Sequence, residues 1–406
     1  MTARIALAMG LGAIVGAVWG PPAGALGEIA KLVVQMVKTF ATPLLFLSVL
    51  GSVLNTEIRG RQALRMLAIA LFNAAIALSI GLVFANVFKV GVLLKPLFAT
   101  ASTASKADYT TTLDLPKVLG AFVPDSILEP FVENLALPLI LLALLIGFAT
   151  RRIAETDGGQ RVKEFSQSVD WWRTVTEKIL GWVVQIIPIA VFSAVAAGVG
   201  KTGFAAFKGL LGYVALALAA LATHLVVTHH GWLIYLRRPI REFWRAAHEP
   251  VVYAIGANSS LATLPLTLRG LRRLRVSETA STLGACVGTN FNNDGIILYE
   301  GLAALLVAQA VGITVDLPHQ IAIGVLSAVA AMGVAGVPEA GFISLALVLS
   351  TLGLPTEALP LLLTVDWIVA RGRSAVNVSS DMIVSLAIDG RQTRNTTLRN
   401  RAMQGL

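Results

Sequence analysis

The chain has 406 residues, 56% of them hydrophobic and 14% charged, with a mean hydropathy of +0.76. Soluble domains run near ~45–50% apolar and ~25% charged, so a soluble globular domain is excluded and an all-α polytopic membrane protein is expected. The net charge of +9 is no nucleic-acid footprint, because the basic residues cluster between apolar runs in the positive-inside pattern.

The first apolar run, 4–20, resembles a signal peptide, with Ala23-Gly24-Ala25 after it. Another long apolar run follows at once, so 4–20 reads as a first membrane helix. Further runs lie at 28–55, 66–90, 124–150, 175–198 and 208–235, each near the ~20 residues a bilayer needs. With a cytoplasmic N-terminus, alternation puts 57–65 (Arg59, Arg61, Arg65), 151–163 (Arg151, Arg152) and 236–245 (Arg237, Arg238, Arg241) inside. Residues 91–117 then form an external loop, and 155–174 read as an interfacial helix ending at Trp171 and Trp172.

Past 235 simple alternation fails. The stretch 246–268 is broken by Asn258, Ser259, Ser260, Thr263 and Pro265 and flanked by arginine on both sides, so it reads as a re-entrant hairpin. Residues 277–310 cross outward. A second hairpin, 319–353, is interrupted from Met332 to Gly341 and enters from the opposite face. Residues 360–389 cross back to a basic tail with Arg391, Arg394 and Arg399. The sum is eight transmembrane helices plus two re-entrant hairpins, with hairpin–helix pairs as inverted repeats. Transporters place binding sites at such repeats, on interrupted helices near the midplane.

Two crossings carry polar groups at membrane depth, where an ionisable side chain costs at least ~2.5–3.5 kcal/mol and marks a functional site by default. On the last one, taken as a helix, Ala370 lies about 40° from Asp366, Arg373 about −20°, Asn377 about 20° and Asp381 about 60°. The guanidinium of Arg373 is a planar fork suited to a carboxylate, and Asp381 suits a cation; the alternative is a structural Arg–Asp network with no ligand. Arg371 points about 120° off the stripe, towards a hairpin tip, an aqueous cavity or an internal partner. In 288–295, unwound carbonyls with Asn292 and Asp294 fit a cation, and Glu300 is a carboxyl in apolar surroundings, a candidate proton carrier or a rim residue. The hairpin tip at Ser259 and Ser260 offers hydroxyls and helix N-terminal amides to an anion.

The five histidines show no metal-ligand spacing with the single Cys286, which reads as a small apolar helix residue. His224 reads as a hydrogen-bonded packing residue and the others as helix-end or loop residues; no metal beyond an alkali cation is expected. No nucleophile elbow, Walker loop or dinucleotide fingerprint occurs, so no enzyme and no cofactor are expected.

At these residues the chain resembles the dicarboxylate/amino acid:cation symporter family, the glutamate transporter family. Asn292-Asn293-Asp294-Gly295 is similar to its NMDG signature, Ser259-Ser260 through Thr263-Leu264-Pro265 to its serine-rich hairpin, and Gly336-Val337-Pro338 with Ala340-Gly341 to its second tip. Asp366-Trp367, Arg371-Gly372-Arg373-Ser374 and Asn377-Val378 resemble its last helix. The resemblance implies an elevator-type fold and a homotrimer in the plasma membrane, a bacterial inner membrane, with both termini cytoplasmic. Residues 1–65 and 118–205 would hold scaffold helices 1, 2, 4 and 5. Residues 66–117 would hold the third helix, of the transport domain, and an external loop, and 206–406 the rest of that domain. It further implies that Arg373 holds the substrate's distal carboxylate, that Ser259 and Ser260 meet the other with Asn377 and Ser374 nearby, and that Val337 and Pro338 line the second tip. Asn292, Asp294 and Asp381, with Gly288, Asn290 and Asn73, would serve the cations, Na+ and/or H+, and Glu300 resembles a proton-carrying carboxylate.

The departures direct the substrate. Ala370 stands where amino-acid carriers have an Asp for the ammonium group, so a plain dianion (succinate, malate or fumarate) is expected over aspartate. Positive charge is moved, with Asn258 at one family arginine position and Arg371 at the other. Ile296, Asn290 and Asn73-Ala74 replace hydroxyl residues of the family's sodium sites. The expected function is a cation-coupled dicarboxylate symporter. Its alternatives are an acidic amino-acid symporter, an uncoupled anion channel or facilitator with Arg371 and Arg373 as a selectivity ring, and a membrane sensor.

Overall fold

In lipid, helices satisfy every backbone polar group within their own segment, and every regular element among the described residues is helical. A computed structural model describes residues 2–55, 61–95, 124–156, 159–333 and 340–390. Most of the expected external loop, Arg59, the second hairpin tip with Val337 and Pro338, and the basic tail lie outside the described residues.

Helix α1 spans Thr2–Trp19, α2 Gly27–Asn55, α3 Arg61–Phe88, α4 Ala136–Thr156, α5 Gln160–Gln185, α6 Ile187–Thr202 and α7 Ala205–His224. A π-helical turn, Leu225–His229, joins α7 to α8 (His230–Tyr235). There follow α9 (Ile240–Ala257), α10 (Ser260–Arg273), α11 (Glu278–Ser281), α12 (Asp294–Ala310), α13 (Leu317–Gly333), α14 (Ala340–Thr351) and α15 (Leu359–Asp389).

Among the described residues, three stretches are long and apolar enough to cross a bilayer, Pro21–Asn55, Leu64–Phe88 and Gly209–Tyr235. The pair Gln160–Val183 and Ile187–Lys201, bent by 44°, makes a fourth if read as one span. The 31 residues of α15 reach about 46 Å at 1.5 Å per residue, but Asp366, Arg371, Arg373 and Asp381 set that helix apart from an ordinary apolar span. The stretch expected to lie on the interface is continuous with α5, with Trp171 and Trp172 exposed on it.

The first hairpin is α9 and α10 packed together. Asn258 ends α9 in the left-handed region (φ 51°), and the Ser259 hydroxyl caps α10 by accepting from the Ala262 N–H at 3.2 Å. An asparagine tolerates that backbone better than most residues. At the open end Glu249 joins Arg269 (3.0 Å) and Arg273 (3.1 Å), tying the two arms at one level. The second hairpin pairs α13 with α14.

The basic clusters converge on one end of the molecule. Arg65 donates to the Ile388 carbonyl at 3.5 Å, and Arg238 meets Asp389 at 3.4 Å while Ser277 N–H donates to the same carboxylate at 3.1 Å. At the other end of α3, Asn86 donates to Gln320 at 2.8 Å and Gln309 to the Ala85 carbonyl at 2.8 Å. Thus α3 runs the length of the body, from the end of α15 to the loop between α12 and α13.

Helix α1 lies along α6 at closer range than side chains normally permit. A Cβ on Gly12 would stand 2.5 Å from the Phe192 carbonyl oxygen, and one on Gly16 2.5 Å from that of Ala196. This is the small-residue packing by which apolar helices associate without a hydrophobic driving force. Gly16→Leu is expected to separate the two helices and lower the melting temperature in detergent by several degrees; an unchanged melting curve contradicts this packing.

Candidate functional site

The site is built where unwound backbone meets the polar stripe of α15. Before α12 the chain runs through a π-helical stretch, Thr282–Val287, and a 3-10 turn, Gly288–Asn290, and then leaves helical geometry until Asp294. The Gly288 carbonyl accepts from the N–H groups of Phe291 (2.8 Å) and Asn292 (2.7 Å), closing the turn. Asn377 of α15 satisfies the break from the far side. Its Oδ1 accepts from Gly295 N–H at 2.8 Å, and its Nδ2 donates to Asn293 Oδ1 at 3.3 Å. Asn293 Nδ2 in turn donates to the Ala331 carbonyl of α13 at 3.0 Å, bringing the second hairpin to the same point.

The expected stripe on α15 is realised as one buried face. Arg373 is 3% exposed and Asp366, two turns earlier, 1%. They form a bidentate pair, Nη1 to Oδ1 at 2.8 Å and Nη2 to Oδ2 at 2.9 Å. The guanidinium lies 3.9 Å from the centre of the Tyr299 ring, a cation–π geometry. On its other side is Gly341, at the start of α14, where a Cβ would come within 2.7 Å of Cζ. Arginine is thus held by an acid, an aromatic face and the arm of a hairpin.

The first hairpin tip meets the same helix. Ser374 Oγ donates to Asn258 Oδ1 at 3.0 Å, and Thr289 Oγ1 to Ser260 Oγ at 3.3 Å. Ala370 is buried on this face. Both hairpins therefore converge on the Arg373–Ser374 turn. Arg371 leaves the stripe, as its angle requires. It donates to the Trp367 carbonyl and stacks 5.5 Å from that indole's ring centre.

One turn further along α15, the candidate cation ligands form a single network. Asn292 Nδ2 donates to Asp381 Oδ1 at 3.1 Å, while Ser380 Oγ lies 2.5 Å from Asp294 Oδ2 and 3.4 Å from Asn292 Oδ1. Asn73, from α3, reaches Ser380 Oγ at 3.5 Å, and Trp232 Nε1 donates to Asn73 Oδ1 at 2.7 Å. Two carboxylates from different segments are held together by amides and a hydroxyl. Glu300 is also fully buried, with the Ser327 and Ser344 hydroxyls beside its carboxyl group.

Sequence reasoning gave no role to Tyr299 or Ser380, which lie one turn past the break and one residue before Asp381. Asp366 was expected on the stripe, with a structural Arg–Asp network as the alternative to a ligand site, and its separation of seven residues from Arg373 is a two-turn repeat that brings side chains together. His229, expected at a helix end or in a loop, is fully buried beside His224, because the π-helical turn carries the helix past it. His224 does make hydrogen bonds, to Asp294 at 3.2 Å and to Thr228 at 3.1 Å.

Comparison with known proteins gives a consistent result. The model of the sodium:dicarboxylate symporter family matches residues 1–391. The chain is 30% identical over 395 residues to a C4-dicarboxylate transport protein of Anaeromyxobacter sp. (strain K), covering 95% of this chain and 88% of that protein. It is 27% identical over 417 residues to one of Deinococcus radiodurans (99% and 91% covered). It is also 27% identical over 396 residues to one of Rhodopseudomonas palustris (95% and 87% covered).

Removing one member of a buried ion pair costs about 3–5 kcal/mol, because the other is left uncompensated. Asp366→Asn is expected to lower the melting temperature by several degrees, and Asp366→Leu combined with Arg373→Met to recover most of the loss. A double variant no better than the single one contradicts this pairing.

Proposed function

The chain belongs to the sodium:dicarboxylate symporter family, and from that premise we propose that it is a cation-coupled symporter of small dicarboxylates of the succinate, malate and fumarate type. The relatives are named for C4 dicarboxylates, and the observation that carries the reading here is the buried fork of Arg373 at the meeting of both hairpins.

In this reading a substrate carboxylate takes the place of Asp366 on the guanidinium. The exchange keeps the guanidinium compensated, the displaced Asp366 takes up a proton so that no buried charge is left unpaired, and Tyr299 holds the plane of the fork during it. The second carboxylate goes to Ser259, Ser260 and the N-terminal amides of α10, with Ser374 and Asn377 alongside. Val337 and Pro338 would close over it. Ala370 offers no counter-charge to an ammonium group, and a buried unpaired cation is costly, which favours a plain dianion over aspartate.

Coupling follows from the acidic network. Asp381 is linked to Asp294 by a chain of two partners, Asn292 on Asp381 and Ser380 on Asp294, and both carboxylates are buried. Two carboxylates so placed repel, and a cation among Asn73, Asn292, Asp294 and Asp381, with backbone oxygens near Gly288 and Asn290, relieves that repulsion. The coupling ion is Na+, H+ or both, with Glu300 as the proton carrier. Asn377 joins the halves, since it stands on the substrate stripe and hydrogen-bonds the break that presents Asn292 and Asp294. A cation that orders the break therefore orders the anion site, and linkage makes the effect reciprocal. Transport proceeds by an elevator motion of the transport domain within a homotrimer in the bacterial inner membrane, both termini cytoplasmic.

The test is uptake of labelled succinate and aspartate into proteoliposomes under separate sodium and proton gradients. Concentrative succinate uptake with one gradient, weakly inhibited by aspartate, is expected. Aspartate outcompeting succinate contradicts the dianion assignment, and current without concentrative uptake contradicts symport. Losing a buried charge-assisted pair costs about 2–5 kcal/mol, so Arg373→Ala is expected to weaken succinate binding at least about thirtyfold by calorimetry. Unchanged affinity contradicts the role of that residue.

A further inference from the structure

The π-helical turn at Leu225–His229 has no part in the transport reading. On an α-helix, residues five apart lie about 140° from each other. The i→i+5 hydrogen bonding of a π-turn instead stacks residue 229 close over residue 224, and such bulges concentrate at functional sites. His224 and His229 accordingly face one another, with ring centroids 5.6 Å apart. Both are fully buried, and so is Asp294 on the first turn of α12.

His224 Nε2 stands 3.2 Å from Asp294 Oδ2, and its Nδ1 stands 3.1 Å from Thr228 Oγ1. Both ring nitrogens of His229 and the second oxygen of Asp294 are buried with no hydrogen-bond partner among the described residues. Three unsatisfied polar atoms in one place call for a cause. A histidine buried for packing alone normally keeps a hydrogen bond on at least one ring nitrogen. An alkali or other hard cation does not supply the cause, because such ions take oxygen ligands. Imidazole nitrogen is the ligand of borderline divalent metals.

We propose that His224, His229 and Asp294 form a binding site for one divalent transition-metal ion of the zinc class. Their ligand atoms all lie within 4.8 Å of one another. A tetrahedral site with ligands at about 2.0–2.1 Å has edges of about 3.3 Å, and the His224–Asp294 pair already matches one edge at 3.2 Å. The remaining edges close by swinging His229, which gives up no hydrogen bond. The outer contacts are also in place. The Thr228 hydroxyl engages the nitrogen of His224 that faces away from the site, and the Ser380 hydroxyl engages Asp294 Oδ2 at 2.5 Å. Partners of this kind fix ring orientation and ligand basicity. Three protein ligands leave one position for a small exogenous ligand. The ion pins the π-turn to α12, and it shares Asp294 with the acidic network that the proposed function gives to the coupling cation.

The test uses the full chain, purified without a polyhistidine tag, stripped with chelator and titrated with cobalt(II) as the probe. One cobalt per chain, with the intense visible bands of tetrahedral coordination, is expected. Zinc is expected to displace it. His229→Ala should weaken cobalt binding by more than roughly 100-fold, beyond the ~10–100-fold that loss of an outer partner costs. His230→Ala, whose ring instead accepts from Trp244 Nε1 at 2.9 Å, should leave binding intact. His229→Cys, which keeps a ligand atom whether or not the alanine variant folds, should add a thiolate-to-metal charge-transfer band. Absence of tetrahedral bands in the wild type, equal binding by His229→Ala, or a cysteine variant without the new band overturns the site.

Discussion

A guanidinium at membrane depth must be compensated at every moment, because an uncompensated buried charge costs more than most folds can spare. Arg373 meets this constraint with three kinds of partner from three segments: the Asp366 carboxylate, the Tyr299 ring and the hairpin arm at Gly341. The rest of the site is arranged around that residue. The last helix tolerates Asp366, Arg371, Arg373 and Asp381 because other helices pack on it, the first hairpin tip has polar partners at the centre of the protein, and the second hairpin brings Gly341 there.

The second constraint is unwound backbone. Residues 288–293 leave α-helical geometry in the protein interior, and the Gly288 carbonyl and the Gly295 N–H are paired by a neighbour in sequence and by α15 respectively. Gly295 fits beneath Arg373 because it has no side chain, since a Cβ there would sit 2.7 Å from the Arg373 carbonyl oxygen. The break therefore faces the Arg373 stripe on one side and the acidic network on the other. Asn377 holds it through Gly295 N–H and Asn293, while Asn292 and Ser380 reach the carboxylates, so that reordering one set of hydrogen bonds bears on the other.

Much of this was legible in the sequence because it follows from period and cost. Charges at 366, 373 and 381 share one face at 100° per residue, and membrane depth makes each expensive, so their convergence was expected. The first hairpin was legible from Asn258 and the arginines on both flanks. What the sequence concealed depends on local helical register. Nothing in Leu225–His229 or Thr282–Val287 distinguishes a π-helical turn from an α-helical one, yet the first of these turns decides that His229 faces His224 and Asp294. The Arg373–Asp366 pairing was legible as one of two readings, a structural Arg–Asp network or a ligand site, and side-chain reach decides that the two charges, two turns apart, meet directly.

The account centres on an exchange of carboxylates at Arg373. The most direct measurement is a cryo-electron-microscopy structure of the protein with saturating succinate and sodium. The prediction is ligand density bridging the Arg373 guanidinium and the tip at Ser259 and Ser260, with Asp366 no longer bidentate on the arginine. Succinate bound elsewhere while the Arg373–Asp366 pair stays intact would contradict it.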